Sequence, residues 1–162
     1  MKPPAELSYL SLGSNLGNRD ENLDVALRRI REDFPGARFS SRYETQPILM
    51  TDQPCFLNQL AEVKTRTDPH LLLQWALDLE RLCGRQREVP KGPRTLDVDI
   101  LLCGNRVLED PGLILPHPGL LKRRHVLVPL SELNPELRIP PHGISAKEAL
   151  RQVEDDGWVR KI

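Results

Sequence analysis

The stretch Gly92-Pro-Arg-Thr-Leu-Asp-Val-Asp-Ile-Leu-Leu102 decides how this chain is read. Thr95 to Cys103 reads as a strand, and residues two apart in a strand share a face. Asp97 and Asp99 therefore leave an otherwise apolar segment on the same side. Two adjacent buried carboxylates repel and lose hydration, so they require a compensating charge. A hard divalent cation supplies one, and Mg²⁺ is held by one or two carboxylates together with substrate phosphates. Arg94, just ahead of the pair, has the forked donor geometry that grips a phosphate. A lone D-x-D on an edge strand also reads as two solvated acids, so the motif by itself favours a metal only modestly and the surroundings must decide.

Outward from this strand the pattern is regular. Leu7 to Leu12 is a short apolar strand ending in the turn Gly13-Ser-Asn-Leu-Gly-Asn18. Leu23, Ala26, Leu27 and Ile30 then recur at helical spacing behind a cap at Asn18 or Asp20. Ala37 to Tyr43 reads as a second strand, Glu44 to Pro54 as a loop, and Phe56 to Thr65 as a third strand. Asp68-Pro69 opens a helix predicted to bury Leu71, Leu72, Trp75, Ala76, Leu79 and Leu82 before Gly84. An Arg-rich loop follows, and then the Asp-bearing strand.

The order is β-α-β-β-α-β, so the expected fold class is α+β: a ferredoxin-like sandwich with a C-terminal elaboration. That elaboration holds Leu115-Pro-His-Pro118, a predicted helix over 122–133, a helix opened by the capping box Ser145-Ala-Lys-Glu148, and a last strand over 158–162. Residues 1–162 read as one domain.

Composition narrows the function classes. The 162 residues carry no formal net charge, with 39% hydrophobic and 28% charged content. No global field draws the chain to nucleic acid or to a membrane surface. Cys55, Cys83 and Cys103 have neither disulfide-framework nor zinc spacing. The expected location is cytoplasmic, because Met1-Lys-Pro-Pro-Ala-Glu shows no apolar signal core and no run approaches a membrane span. No P-loop or Rossmann glycine motif is present. Arg85, Arg87, Arg94, His117 and Arg123 could instead form a cationic cradle for a polyphosphate. Gly13-Ser-Asn15 either lends backbone N–H groups to a phosphate or is only a strand-to-helix turn.

Four segments in order carry a resemblance: Leu10-Ser-Leu-Gly-Ser-Asn-Leu-Gly-Asn18, Asp52-Gln-Pro-Cys-Phe-Leu-Asn58, Gly92–Leu102 and Leu115-Pro-His-Pro118. Between about Ser8 and Pro135 the chain resembles the 6-hydroxymethyl-7,8-dihydropterin pyrophosphokinase family. The resemblance implies diphosphate transfer from ATP to a reduced pterin, with release of AMP, on the way to folate. It implies two Mg²⁺ ions on Asp97 and Asp99, and catalytic roles for both with Arg85 and Arg94. It implies ATP contacts from Glu80, Arg85, Arg87, Arg94, His117 and Arg123. For the pterin it implies Thr45, Phe56, Asn58 and His125, and a monomer with mobile loops.

Two positions depart from that family's pattern. His125 stands where a phenylalanine commonly sandwiches the pterin, which predicts a substrate KM that rises as pH falls through the imidazole titration. Lys91 stands where some members carry a tryptophan. The competing readings are a non-catalytic ferredoxin-like binding module with solvated acids, and a related diphosphokinase with another acceptor. An RNA-binding sandwich fails on the neutral charge and the missing exposed aromatic pairs.

Overall fold

The structure, a computed structural model, describes residues 2–47, 52–85 and 92–162. The first strand, β1 (Glu6–Ser14), leads into α1 (Arg19–Asp33), β2 (Arg38–Phe39), β3 (Tyr43–Thr45), β4 (Phe56–Thr65), α2 (Pro69–Leu82) and β5 (Asp97–Cys103). A hairpin of β6 (Leu108–Asp110) and β7 (Leu113–Leu115) follows, then a single 3₁₀ turn, Leu120–Lys122. The chain continues through α3 (Arg124–Leu133), the short pair β8 (Arg138–Ile139) and β9 (Ile144–Ser145), α4 (Ala146–Gln152) and β10 (Val159–Lys161). The main sheet runs β10-β3-β4-β1-β5, with β2 also on β4, and all of these pairings are antiparallel.

Local chemistry accounts for the helix starts. The Asn18 side chain accepts the Glu21 N–H at 3.0 Å, and Asp68 accepts the His70 N–H at 2.9 Å, with Pro69 in the first turn where its missing donor costs nothing. Leu23, Ala26, Leu27 and Ile30 of α1 and Leu72, Ala76 and Leu79 of α2 pack on Leu10, Leu12, Leu57, Ala61, Val63, Val98 and Ile100 of the sheet. Two residues expected in that core are not there: Leu71 and Leu82 are 65% and 64% exposed. At about 100° per residue both fall on a flank of α2, off the stripe formed by Leu72, Ala76 and Leu79.

The strand expected over 37–43 is two strands. Ser40 interrupts it: its Oγ accepts the Leu60 N–H at 2.9 Å, where a ladder carbonyl would otherwise stand. The hairpin of β6 and β7 was not foreseen in the sequence.

The C-terminal third is a third layer. Val126, Leu127 and Leu130 of α3 and Ala146 and Ala149 of α4 cover Tyr9, Leu60, Leu101 and Leu102 on the other face of the sheet. A register shift lets β5 serve both layers. Leu10 pairs with Ile100 but Tyr9 with Leu102, so Leu101 is an extra residue and the alternation resets. This third layer covers only one end of its face. At the other end, the start of β5 and the end of β1 are left open to the site. No described helix is long and apolar enough to cross a membrane.

Candidate active site

Strand register assembles the site. Tyr43 lies opposite Asn58, Asn58 opposite Gly13, and Gly13 opposite Asp97; one row along, Ser11 lies opposite Asp99. Side-chain alternation turns Ser11, Gly13, Asn58, Asp97 and Asp99 to the same face. With Thr45 and Phe56 they floor a pocket whose walls include Arg94, Arg123 and His125.

One side of this floor suits a flat heteroaromatic ring with a polar edge. Asn58 is buried, and its Nδ2 donates to Thr45 Oγ1 at 2.6 Å, which fixes the amide plane. Gly13 is required beneath it, since a Cβ there would stand 2.9 Å from Asn58 Oδ1 and 3.5 Å from the Phe56 ring. The Arg94 guanidinium lies 5.2 Å from the centroid of that ring.

The other side is ionic. Asp97 is held from two directions, with Arg85 Nη1 donating to Oδ1 at 2.7 Å and Arg94 Nη1 donating to Oδ2 at 2.9 Å. Among the described residues Asp99 has no such pair of clamps. Its carboxyl is pushed up to about 7, first by burial and then by the neighbouring Asp97 anion, with Arg123 and Arg94 pulling the other way. Asp99, poorly compensated beside the clamped Asp97, could take a cation. Two carboxylates are too few for a protein-only cage, but they suit Mg²⁺ that arrives on phosphates.

Arg123 is aimed by glycine. A Cβ on Gly119 would meet the Arg123 guanidinium carbon at 2.6 Å, so the side chain lies flat on bare backbone. His125 is neutral in ordinary buffers. Burial first, and the charge of Arg123 second, lower its pKa to about 4. This revises the expectation of a KM that responds to His125 near neutrality: the titration lies well below that range.

Other expected residues sit away from the pocket lining. His117 accepts the Gly119 N–H on Nδ1 at 3.0 Å, while its backbone N–H donates to the Leu101 carbonyl at 2.9 Å. Glu80 is 3% exposed, and its Oε2 accepts the Val98 N–H at 2.8 Å and pairs with Arg85 at 2.9 Å. It fastens α2 to β5 underneath the site. Arg87 and Lys91 lie outside the described residues.

The sequence reading missed Asn15. Its Oδ1 accepts the Arg94 N–H at 2.8 Å and its N–H donates to the Arg94 carbonyl at 3.1 Å. Its Nδ2 donates to Gln53 Oε1 at 2.8 Å and to the Pro54 carbonyl at 2.9 Å. A single buried amide thus joins the end of β1, the 52–54 turn and the backbone of Arg94. The signal was an amide in a turn, where side chains satisfy loop backbone; the phosphate reading of the same turn had looked only at main-chain N–H groups.

Comparison with known proteins gives the same direction. Residues 9–135 match the family model described as 7,8-dihydro-6-hydroxymethylpterin-pyrophosphokinase. A 2-amino-4-hydroxy-6-hydroxymethyldihydropteridine pyrophosphokinase of Methylorubrum extorquens is 39% identical over 156 residues, covering 94% of this chain and 97% of that protein. Its counterpart in Bacillus subtilis is 43% identical over 129 residues, covering 78% and 77%. The folic acid synthesis protein fol1 of Schizosaccharomyces pombe is 38% identical over 155 residues, 94% of this chain but only 21% of that larger protein. Among solved structures, an HPPK-DHPS in complex with substrates superposes with a TM-score of 0.72 over 92% of this chain and 43% of that one, at 12% identity, a likeness of fold. The chain belongs to the 7,8-dihydro-6-hydroxymethylpterin-pyrophosphokinase family.

Proposed function

We propose that the protein transfers the diphosphate of ATP to the hydroxymethyl oxygen of 6-hydroxymethyl-7,8-dihydropterin and releases AMP, a step of folate biosynthesis. The observation that carries this reading is the single pocket in which the Asn58–Thr45 amide edge and the Phe56 ring stand beside the Asp97–Asp99 pair. A pterin needs an aromatic face and fixed donors and acceptors at its rim. A nucleoside triphosphate needs cations, and Arg94 and Arg123 line the same space.

In the reaction the pterin oxygen bonds to the β-phosphorus and the bond from that phosphorus to the α-phosphate oxygen breaks. The hydroxyl proton passes to solvent, and AMP carries away the electron pair of the broken bond. Mg²⁺ held by Asp97 and Asp99, two ions in the family-based reading, would neutralise phosphate charge and polarise the β-phosphorus. Asp97 would exchange its two guanidinium partners for that charge, which frees Arg85 and Arg94 to stabilise the transferring group. Arg123 shares the pocket with Asp99, whose carboxyl it influences, and adds a further positive charge. Thr45, Asn58, Phe56 and the neutral His125 orient the acceptor. In this reading His117 and Arg87 contribute to ATP contact, and Glu80 contributes through Arg85.

The strand order β3-β4-β1-β5, with α1 and α2 on one face, supports a ferredoxin-like core. The family resemblance supports a monomer, and the absence of disulfide or zinc spacing at Cys55, Cys83 and Cys103 supports a reducing, cytoplasmic setting. A binding module with solvated acids is disfavoured, because Asp99 is withdrawn far enough from water to lose much of its acidity.

The test is product analysis after incubation with ATP, Mg²⁺ and the pterin. Equimolar AMP and pterin diphosphate are expected, and neither should form with EDTA. ADP in place of AMP, or no phosphorylated pterin, would refute the reading.

A further inference from the structure

Three of the four described α-helices open on a local side-chain cap: Asn18 for α1, Asp68 for α2 and Ser145 for α4. The helix that carries His125 does not. The N-cap of α3 is Arg123, and its side chain makes no capping hydrogen bond. Arginine cannot cap, since it has donors only and the exposed groups at a helix start are also donors.

The acceptor comes from far along the chain. Asp155 Oδ2 accepts the Arg124 N–H at 2.9 Å, and its other oxygen accepts the Gly157 N–H at 2.8 Å. A carboxylate at this end of a helix is also favoured by the helix dipole. Burial alone would raise the Asp155 carboxyl, yet the two backbone donors hold it below its usual range, helped by the nearby His125 and Arg124.

What Asp155 grips matters more than the bond itself. Arg124 sits between Arg123 and His125, and both of these line the pocket. Fixing the Arg124 amide fixes the backbone from which the two side chains start. The same short segment reaches the pocket wall twice more. A Cβ on Gly157 would stand 3.0 Å from Asp155 Oδ1 and 3.4 Å from Gln46 Nε2, so the chain packs closely on Gln46, another lining residue. Beyond it β10 pairs with β3, placing Val159 opposite Thr45. All three contacts come from beyond residue 135, where the match to the family model stops.

We propose that Asp155 is a positioning residue of the acceptor site: it locks the first turn of α3 to the segment leading into β10, and so aims Arg123 and His125 into the pocket. The inference rests on the pterin reading of that pocket for its kinetic consequence. The contact itself does not depend on it.

The experiment compares the full chain with Asp155→Ala and Asp155→Asn. Steady-state kinetics, melting temperature and amide exchange at Arg124 are measured for each. For Asp155→Ala, Arg124 exchange accelerates and both the pterin KM, through His125, and the ATP KM, through Arg123, rise about fivefold to tenfold, the size of a lost helix cap, while kcat changes less. Asp155→Asn keeps one acceptor and recovers most of the loss, and it serves alone if the alanine variant does not fold. A merely structural role would lower the melting temperature and the yield of active enzyme but leave KM in place. Unchanged Arg124 exchange overturns the proposal, and so does faster exchange with an unchanged pterin KM. If the wild type forms no AMP, the reaction reading has failed separately. The proposal is then read from inorganic triphosphate binding, which weakens in Asp155→Ala if Asp155 aims Arg123 and overturns the proposal if it does not.

Discussion

Arg85 Nη1 lies 2.7 Å from Asp97 Oδ1 and 2.9 Å from Glu80 Oε2, so one guanidinium nitrogen ties α2 to the acid that faces the pocket. Arg85 and Glu80 are both largely buried there. Removing one partner of such a pair strands the other charge. Glu80→Ala should therefore cost about 3 kcal/mol of stability, measured by urea unfolding, and should lower kcat by loosening Arg85. A variant with normal stability but a raised ATP KM would instead make Glu80 a direct nucleotide contact.

The Asp99 carboxyl gives a pH signature. Its folded pKa is raised from 3.8 to about 7, so folding favours the protonated form. That contribution is fully present below the unfolded value and is lost as pH rises through about 7. Metal-free protein should melt lower at pH 8 than at pH 6, and Asp99→Asn should flatten that difference. Mg²⁺ added with ATP should raise the melting temperature more at pH 8 than at pH 6. An equal rise at both would count against a cation on Asp99.

Gly13→Ala separates packing from chemistry. The added methyl would press on Asn58 Oδ1 at 2.9 Å and disturb the bond from Asn58 to Thr45. Overpacking of this kind costs about 1–3 kcal/mol. The pterin KM should rise at least about tenfold, since each 1.4 kcal/mol is a factor of ten, with ATP binding nearly intact. Calorimetric titration of the two ligands reads the split directly.

His125 should be silent near neutrality. With its pKa lowered to about 4, the folded protein favours the neutral ring, and stability is lost as pH falls from the unfolded value of 6.5 towards 4. His125→Phe should recover part of that acid loss. Over pH 6 to 8 the ratio of wild-type to His125→Phe pterin KM should stay constant. A ratio that climbs as pH falls from 8 to 6 would place the titration back in the neutral range.

Much of this was legible because it depends on local rules. The two acids of β5 share a face by strand alternation, and the Asn18, Asp68 and Ser145 caps follow from their own neighbours. The same alternation puts Leu57, Ala61 and Val63 of β4 together on the helix-covered face. The failures are non-local. Ser40 breaks a strand through a bond to Leu60, twenty residues on. Leu71 and Leu82 look like core residues until the helix phase is set by what α2 packs on. Asn15 and Asp155 carry no strong local signal, since each acts on backbone brought near by the fold.

The most direct test of the central claim is pterin-dependent AMP release by Asp97→Ala and Asp99→Ala beside the wild type, together with pterin affinity. The account predicts a kcat lower by at least about a thousandfold in each variant, because the lost stabilisation acts in the transition state. Pterin affinity should change by less than about threefold, since Asn58, Thr45 and Phe56 are untouched. Near-normal turnover in either variant, or equal loss of turnover, pterin affinity and melting temperature in both, would contradict it.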